Sequence, residues 1–538
     1  MLRSASFVLL VAVALAGCDT SRSIVGPGPG DFDPSTVDYD AVQSLDYDEY
    51  VRPLLAARNV LSPTAGGTGD PADYDLMDVV MAGPSGFVVP FDSEGSLMLR
   101  LVEDLPASVE IPMPNLRSLE ADEVRYLARW IEGGARDGDT IPFADATSLL
   151  FAGVQAENHV AIIDAETLRL IRRIDFDDHG IESYPYGPHH FAFEADGSAA
   201  YVSLVSAGVV AKVALDLSMD PSDPAVLLGR TEAGVFATPG MMALDPSTNR
   251  LFVGRSTLSD PLATGFGVLD RETMEMEVIA TPFNVPHAMA ATPDGRYAIT
   301  AELTGTQELS RALVYDAETG DVTLLSIPAD GAPREFIHFS ILGVHNMGAM
   351  DHSGMDHSAM GGYPYTVTLT SRSTDEVLFM TLDEDGTLTL DGSAPAGNGP
   401  YHAHANHDGS SLLIPDQRGD TVTILDAETR DLIRTVEAGA PSGPLSQPHS
   451  PAPAMDGSRF FVTSSNLNGA WTPPFLFHDA DGEPQGPEAF GNLAAFSPTG
   501  DLLGVVQLGA YPSGLEPVML PGGAMGGMDH GGMDHDNH

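Results

Sequence analysis

Short β-branched runs broken by acidic turns recur along most of this chain. Residues 158–203 read Asn158–His159–VAIIDAETLRLIRRIDF, a loop, then GPHHFAFEADGSAAYVSL, and residues 420–465 read DTVTILDAETRDLIRTVEAG, a loop, then QPHSPAPAMDGSRFFVTSS. Each cassette predicts one four-stranded antiparallel sheet, because β-branched runs between Asp-Ala-Glu-Thr and Asp-Gly steps are strands between turns. Repetition at a period of roughly 40–50 residues predicts a β-propeller. Turns at Asp196, Pro246, Asp294, Asp408, Asp456 and Pro498, with one more blade in the long gap between Asp294 and Asp408, give seven blades over residues 146–520.

Residues 46–145 lack that period. Helical patterning runs over Tyr47–Val60, Asp75–Met81, Gly95–Val102 and Glu120–Gly134, with acidic starts and a Gly-Gly stop, so a small all-α domain is expected ahead of the mainly β propeller. Residues 1–18 pair a short positive start with an apolar run, Phe7–Ala16, too short to span a bilayer, and a small-residue step ending in Cys18, the only cysteine. An intramolecular disulfide is therefore excluded. Residues 19–45, rich in Asp with a Gly-Pro repeat, predict a solvated tether.

Charge narrows the partners. With 25 basic against 76 acidic side chains the net charge is −51, and Lys212 is the one lysine. A phosphate backbone would be repelled, so nucleic acid is not an expected partner. The chain has no phosphate loop, nucleophile elbow or zinc-protease helix motif.

Metal chemistry is the strongest candidate. Residues 345–360 read HNMGAMDHSGMDHSAM, within an insertion over 345–362, and residues 525–538, in a tail from 521, read MGGMDHGGMDHDNH. His345, Met347, Met350, His352, Met355, His357 and Met360 in the first, with Met525, Met528, His530, Met533, His535 and His538 in the second, combine soft thioethers with imidazoles. That pairing suits copper, through Met for Cu(I) and His for Cu(II). A second set lies in the repeats: Pro188–His189–His190, Pro286–His287, Ile337–His338, Tyr401–His402–Ala403–His404 and Pro448–His449 precede successive turns. Met241 and Asn492 stand nearby in the remaining blades. If those segments enter the innermost strands, the repeat brings His189, His190, His287, His338, His402, His404 and His449 to one mouth of the channel. The alternative is that each histidine braces a neighbouring blade's backbone.

Several resemblances attach to these residues. Val160–Asp164, Thr167, Pro188, Asp196, Gly197, Tyr201 and Val202 resemble the YVTN family of propeller repeats, which implies fold and little about function. Leu15–Ala16–Gly17–Cys18 resembles a bacterial lipoprotein signal, which implies a lipid on Cys18 and a place in the cell envelope, periplasmic or cell-surface facing. Val51–Leu55, Ser96–Arg100, Ile111–Pro114 and Trp130–Ala135 resemble the c-type cytochrome domains of envelope proteins. Where that family carries its haem attachment this chain has Asn59–Val60–Leu61–Ser62–Pro63, and residues 46–145 contain no histidine, so covalent haem is not expected and Met113 is at most a relic of an axial ligand. The repeated histidines resemble in placement those of nitrous oxide reductase and, distantly, the selenium-binding and methanethiol oxidase family, and the Met-Asp-His runs are similar to segments of copper-resistance proteins. Together they imply an envelope lipoprotein that binds copper, by sequestration, buffering or handover, with the membrane and another envelope protein as partners. A copper oxidoreductase with its site on the axis and an interaction propeller that binds metal incidentally remain open.

Overall fold

The computed structural model describes residues 32–61, 74–105, 109–181, 186–329, 331–342, 362–439, 442–478 and 483–521. Cys18 and all thirteen Met and His residues of the two Met-Asp-His segments lie outside them. The protein is mainly β, a seven-bladed propeller of seven four-stranded antiparallel sheets. Six blades are consecutive, opening on the innermost strands Pro188–Phe193, Pro239–Leu244, Pro286–Ala291, Phe336–Ile341, His404–Ala405 and Pro448–Pro453. The seventh is closed by the chain's last strand, Pro512–Met519, which takes the inner place beside Ser148–Val154, His159–Asp164 and Arg169–Asp175.

The turns follow from side-chain chemistry. Asp164, Asp270, Asp316 and Asp426 each accept a hydrogen bond from the backbone N–H of the Thr three residues on, at 2.9, 2.8, 3.0 and 2.7 Å. That Asx-type bond ends the third strand and reverses the chain. Gly197, Gly295, Gly409 and Gly457 turn the first strand into the second at φ between 68° and 71°, where a Cβ would be strained.

The count of seven stands, but its assignment changes. Pro498 and Asp456 belong to the same blade, since Pro498 lies between Asn492–Phe496 and Leu502–Gln507, the outer two strands of the sheet that opens at Pro448. Asn492 is accordingly on a third strand, far from an inner position. The seventh inner position belongs to the strand starting at Pro512.

Closure pairs Leu149 with Val518 and Ala152 with Leu515. Leu515 is fully buried between the closing blade and the blade that opens at Pro448, with Leu150, Leu493 and Phe461. Leu515→Ala is expected to cost about 2–4 kcal/mol, the transfer loss plus an unfilled cavity, read as a lower urea midpoint at unchanged slope. An unchanged midpoint would show that the closing strand contributes little to stability.

Among the described residues, four short α-helices precede the propeller: α1 (Arg52–Ala57), α2 (Leu76–Val80), α3 (Leu97–Glu103) and α4 (Ala121–Glu132). Glu120 and Glu123 form a reciprocal capping box at the start of α4. Their core, with Tyr47, Phe87, Met113 and Trp130, runs without a break into Phe151, Ile171 and Phe191 of the blades. Where a tether is expected, Tyr39 is wholly buried against Tyr126 of α4, ring centroids 5.2 Å apart, and Arg129 donates to the Tyr39 and Val42 carbonyls.

Candidate functional site

Every inner strand of the propeller carries the same irregularity. Register slips between Pro188 and Phe191, Pro239 and Met242, Pro286 and Ala288, Phe336 and Phe339, and Pro448 and Pro451, and the slip recurs in the closing strand and between Pro400 and His404. Such a β-bulge aims two successive side chains toward the same side instead of opposite sides. This is why His189 and His190, neighbours in sequence, both reach the axis. Without the bulge the period of two would send one of them into a blade.

All seven predicted propeller histidines are buried on that axis, from 0 % exposure for His402 and His449 to 9 % for His404. Ring centroids stand 4.7 Å apart for His402 and His449, and 5.7 Å for His189 with each of them. His338 lies 5.1 Å from His402 and 4.8 Å from His404. Two imidazoles bound to one ion at metal–nitrogen bonds of about 2 Å have centroids roughly 5 Å apart. Among the described residues no three His, Cys, Asp or Glu side chains gather their donor atoms around one point, so liganding here requires the rings to turn.

Few of the ring nitrogens are satisfied. His189 Nδ1 meets Gln155 Oε1 at 3.1 Å, and His287 Nδ1 meets the Arg255 carbonyl at 2.6 Å, which places a proton on each Nδ1 and leaves each Nε2 with its lone pair. His190 Nδ1 accepts from the Met242 N–H at 3.3 Å. Eight buried ring nitrogens lack a hydrogen-bond partner: Nε2 of His190, His287 and His404, Nδ1 of His338, and both nitrogens of His402 and His449. Buried polar atoms are nearly always bonded, and each orphan costs about 1–3 kcal/mol. The inter-blade strut reading accounts for His190 and His287, each bonded to the backbone of a neighbouring blade, and leaves His402 and His449 without a role.

Electrostatics keep these rings neutral. Burial depresses every one of the seven, to about 3 for His189 and about 4 for His287 and His404, and well below the ordinary value for His190, His338, His402 and His449, where neighbouring histidines add to the effect. A neutral imidazole presents the lone pair a metal needs.

Sequence reasoning missed Glu516. It is 4 % exposed on the closing strand, burial pushes its carboxyl up to about 8, and its Oε1 lies 3.4 Å from His190 Nε2 and 3.7 Å from His404 Nε2. Both separations are too long or too poorly aligned to count as good hydrogen bonds. Its available signal was the step from Pro512: Glu516 stands four residues past its strand-opening proline, as His404 stands four past Pro400. Tyr401 and Tyr511 were also missed; their rings pack on His449 at 4.4 and 5.8 Å. One cleft opens onto the axis, lined by His190, His338, His404 and Glu516 with Met242 and Met455.

No family model matches the chain, and no curated protein matches it. Among solved structures it is similar to the periplasmic gluconolactonase PpgL of Pseudomonas aeruginosa, at 16% identity over 70% of this chain and 99% of that one, with a TM-score of 0.46. It is also similar to Citrobacter koseri AztD, at 12% identity over 70% and 100% with a TM-score of 0.42. The dihydro-heme d1 dehydrogenase NirN matches at 12% over 81% and 94%, with a TM-score of 0.42. None of these likenesses bears on the chemistry of the axis.

Proposed function

We propose that this protein is a cell-envelope lipoprotein that binds copper on the propeller axis through its buried histidines, with the Met-Asp-His segments as a weaker, exchangeable store. The observation that carries this reading is the set of eight buried ring nitrogens without hydrogen-bond partners. Neutral imidazoles on rigid strands need only ring rotation to take an ion, whereas a Gly-rich segment loses conformational entropy for each ligand it recruits. The acidic surface, at a net charge of −51, favours the approach of cations. Ile341 and Pro517, near the ends of the strands that lead toward the two Met-Asp-His segments, both line the cleft that opens on His404 and Glu516, which suits handover between store and axis. The lipid on Cys18 holds the assembly at a membrane; Cys18→Ala is expected to move the protein into soluble fractions, and continued partition with membranes would contradict the anchor. In the helical segment, whose sequence resembles a cytochrome c domain without its haem attachment, Met113 is buried with its terminal methyl against Gly83, a packing role in place of an axial one.

The test is retention. Chain with all thirteen Met and His residues of the two segments changed to Ser, loaded with copper and dialysed against a weak competing chelator, is expected to keep its tightly held copper. Loss of all copper from that variant, its axial histidines intact, would assign the metal to the segments alone. The cleft also favours a second reading, a copper oxidoreductase, because it gives a small molecule a route to the buried rings.

A further inference from the structure

The axial groups divide into two sets by contact and by charge. His189, His402 and His449 form a closed triangle, with centroids 5.7, 5.7 and 4.7 Å apart, roofed by Tyr401 and Tyr511. None of the three lines the cleft. His338, His404 and Glu516 do line it, with His338 and His404 rings 4.8 Å apart and Glu516 Oε1 3.7 Å from His404 Nε2. His338 also touches the triangle through His402, at 5.1 Å.

We propose that the axis carries two metal sites of unlike charge: an inner one built from His189, His402 and His449, and an outer one built from His338, His404 and Glu516. This rests on the reading of the axial histidines as copper ligands. The triangle offers neutral nitrogens and no carboxylate. An ion buried there keeps its full charge, which favours monovalent Cu(I) over any divalent ion. Glu516 supplies the outer site with a hard oxygen and, once an ion displaces its proton, a negative charge, which suits Cu(II). His190 is a positioning residue for that carboxylate. Its Nδ1 accepts from Met242 N–H, so its proton sits on Nε2, which faces Glu516 Oε1 at 3.4 Å. The bulge that turns both members of the His189–His190 pair to the axis thereby serves the two sites at once, one residue each.

The full chain, loaded with copper and dialysed against a weak competing chelator that strips exchangeable ions, is expected to retain two ions, counted by elemental analysis. Glu516→Gln and His449→Gln should each retain one. After loading with Cu(I) and exposure to air, where dioxygen oxidises the outer ion, Glu516→Gln should lose the electron paramagnetic resonance signal of Cu(II), and His449→Gln should keep it. If circular dichroism shows that Glu516→Gln does not fold, His404→Gln, at the wall of the cleft, replaces it with the same expectation. Retention of a single ion by the unmodified chain would overturn the two-site proposal and leave axial copper binding intact; retention of none would overturn both. Two ions in folded Glu516→Gln would also refute the proposal.

Discussion

Lowering the pH of the metal-free protein from 7 to 5 is expected to remove most of its stability. Seven histidines are held neutral by burial, with folded values of about 3 for His189, about 4 for His287 and His404 and well below the ordinary value for the other four, while an unfolded chain protonates them near 6.5. Between those limits the unfolded state binds protons that the folded state refuses, so stability falls as pH falls from about 6.5 toward 4. Each group contributes up to about 1.4 kcal/mol per pH unit well below 6.5. Seven acting together exhaust a domain stability of about 5–15 kcal/mol within roughly two units. Glu516 and Asp416 titrate with the opposite sign, since burial raises them to about 8 and about 6 and their protonation relieves that cost. Burial raises Glu157, Asp175 and Glu302 in the same direction, while buried His159 joins the seven on the other side. Thermal unfolding followed at pH 7, 6 and 5 checks this, and copper should move the loss to lower pH because bound imidazoles cannot take a proton. An unfolding temperature that stays level from pH 7 to 5 would mean that the rings are hydrated and protonate freely in the folded state.

His402→Leu is expected to separate stability from binding. His402 is fully buried with both ring nitrogens unpartnered. Leucine of similar volume removes that penalty, so the metal-free variant should be more stable by about 1–3 kcal/mol. Its tightly held copper should fall, since the inner triangle loses the ring that touches His189, His338 and His449. A histidine serving as an inter-blade strut predicts the reverse sign, a loss of stability on substitution. Chemical denaturation of the metal-free proteins decides between the two, because a strut and an unpaired ligand differ in sign and not only in size.

The features legible in the sequence were the local ones. Asp164 with Thr167 and Asp426 with Thr429 make turns by contacts three residues long, and Pro188, Pro286 and Pro448 open strands at regular spacing. The blade at Pro448 was harder to read, because a long loop separates Phe460–Ser464 from Asn492–Phe496 and Asn492 then passes for a blade start. Closure by Pro512–Met519 joins residues more than three hundred positions apart, a pairing no local pattern encodes. The histidines of the axis were found because imidazole after a strand-opening residue is rare enough to notice. Glu516 was not, being one of 76 acids distinguished only by where its strand is placed. The bulges escaped as well, since a register slip depends on the partner strand; yet they decide that His189 and His190 share a side. The two Met-Asp-His segments were legible from composition alone.

Copper is proposed to sit among the axial imidazoles. Crystals of the protein given copper and measured at the copper absorption edge test it most directly. An anomalous difference peak is expected on the propeller axis within about 2 Å of a ring nitrogen of His402 or His449. Anomalous density confined to the Met-Asp-His segments, with the axial rings left as they are, would contradict it.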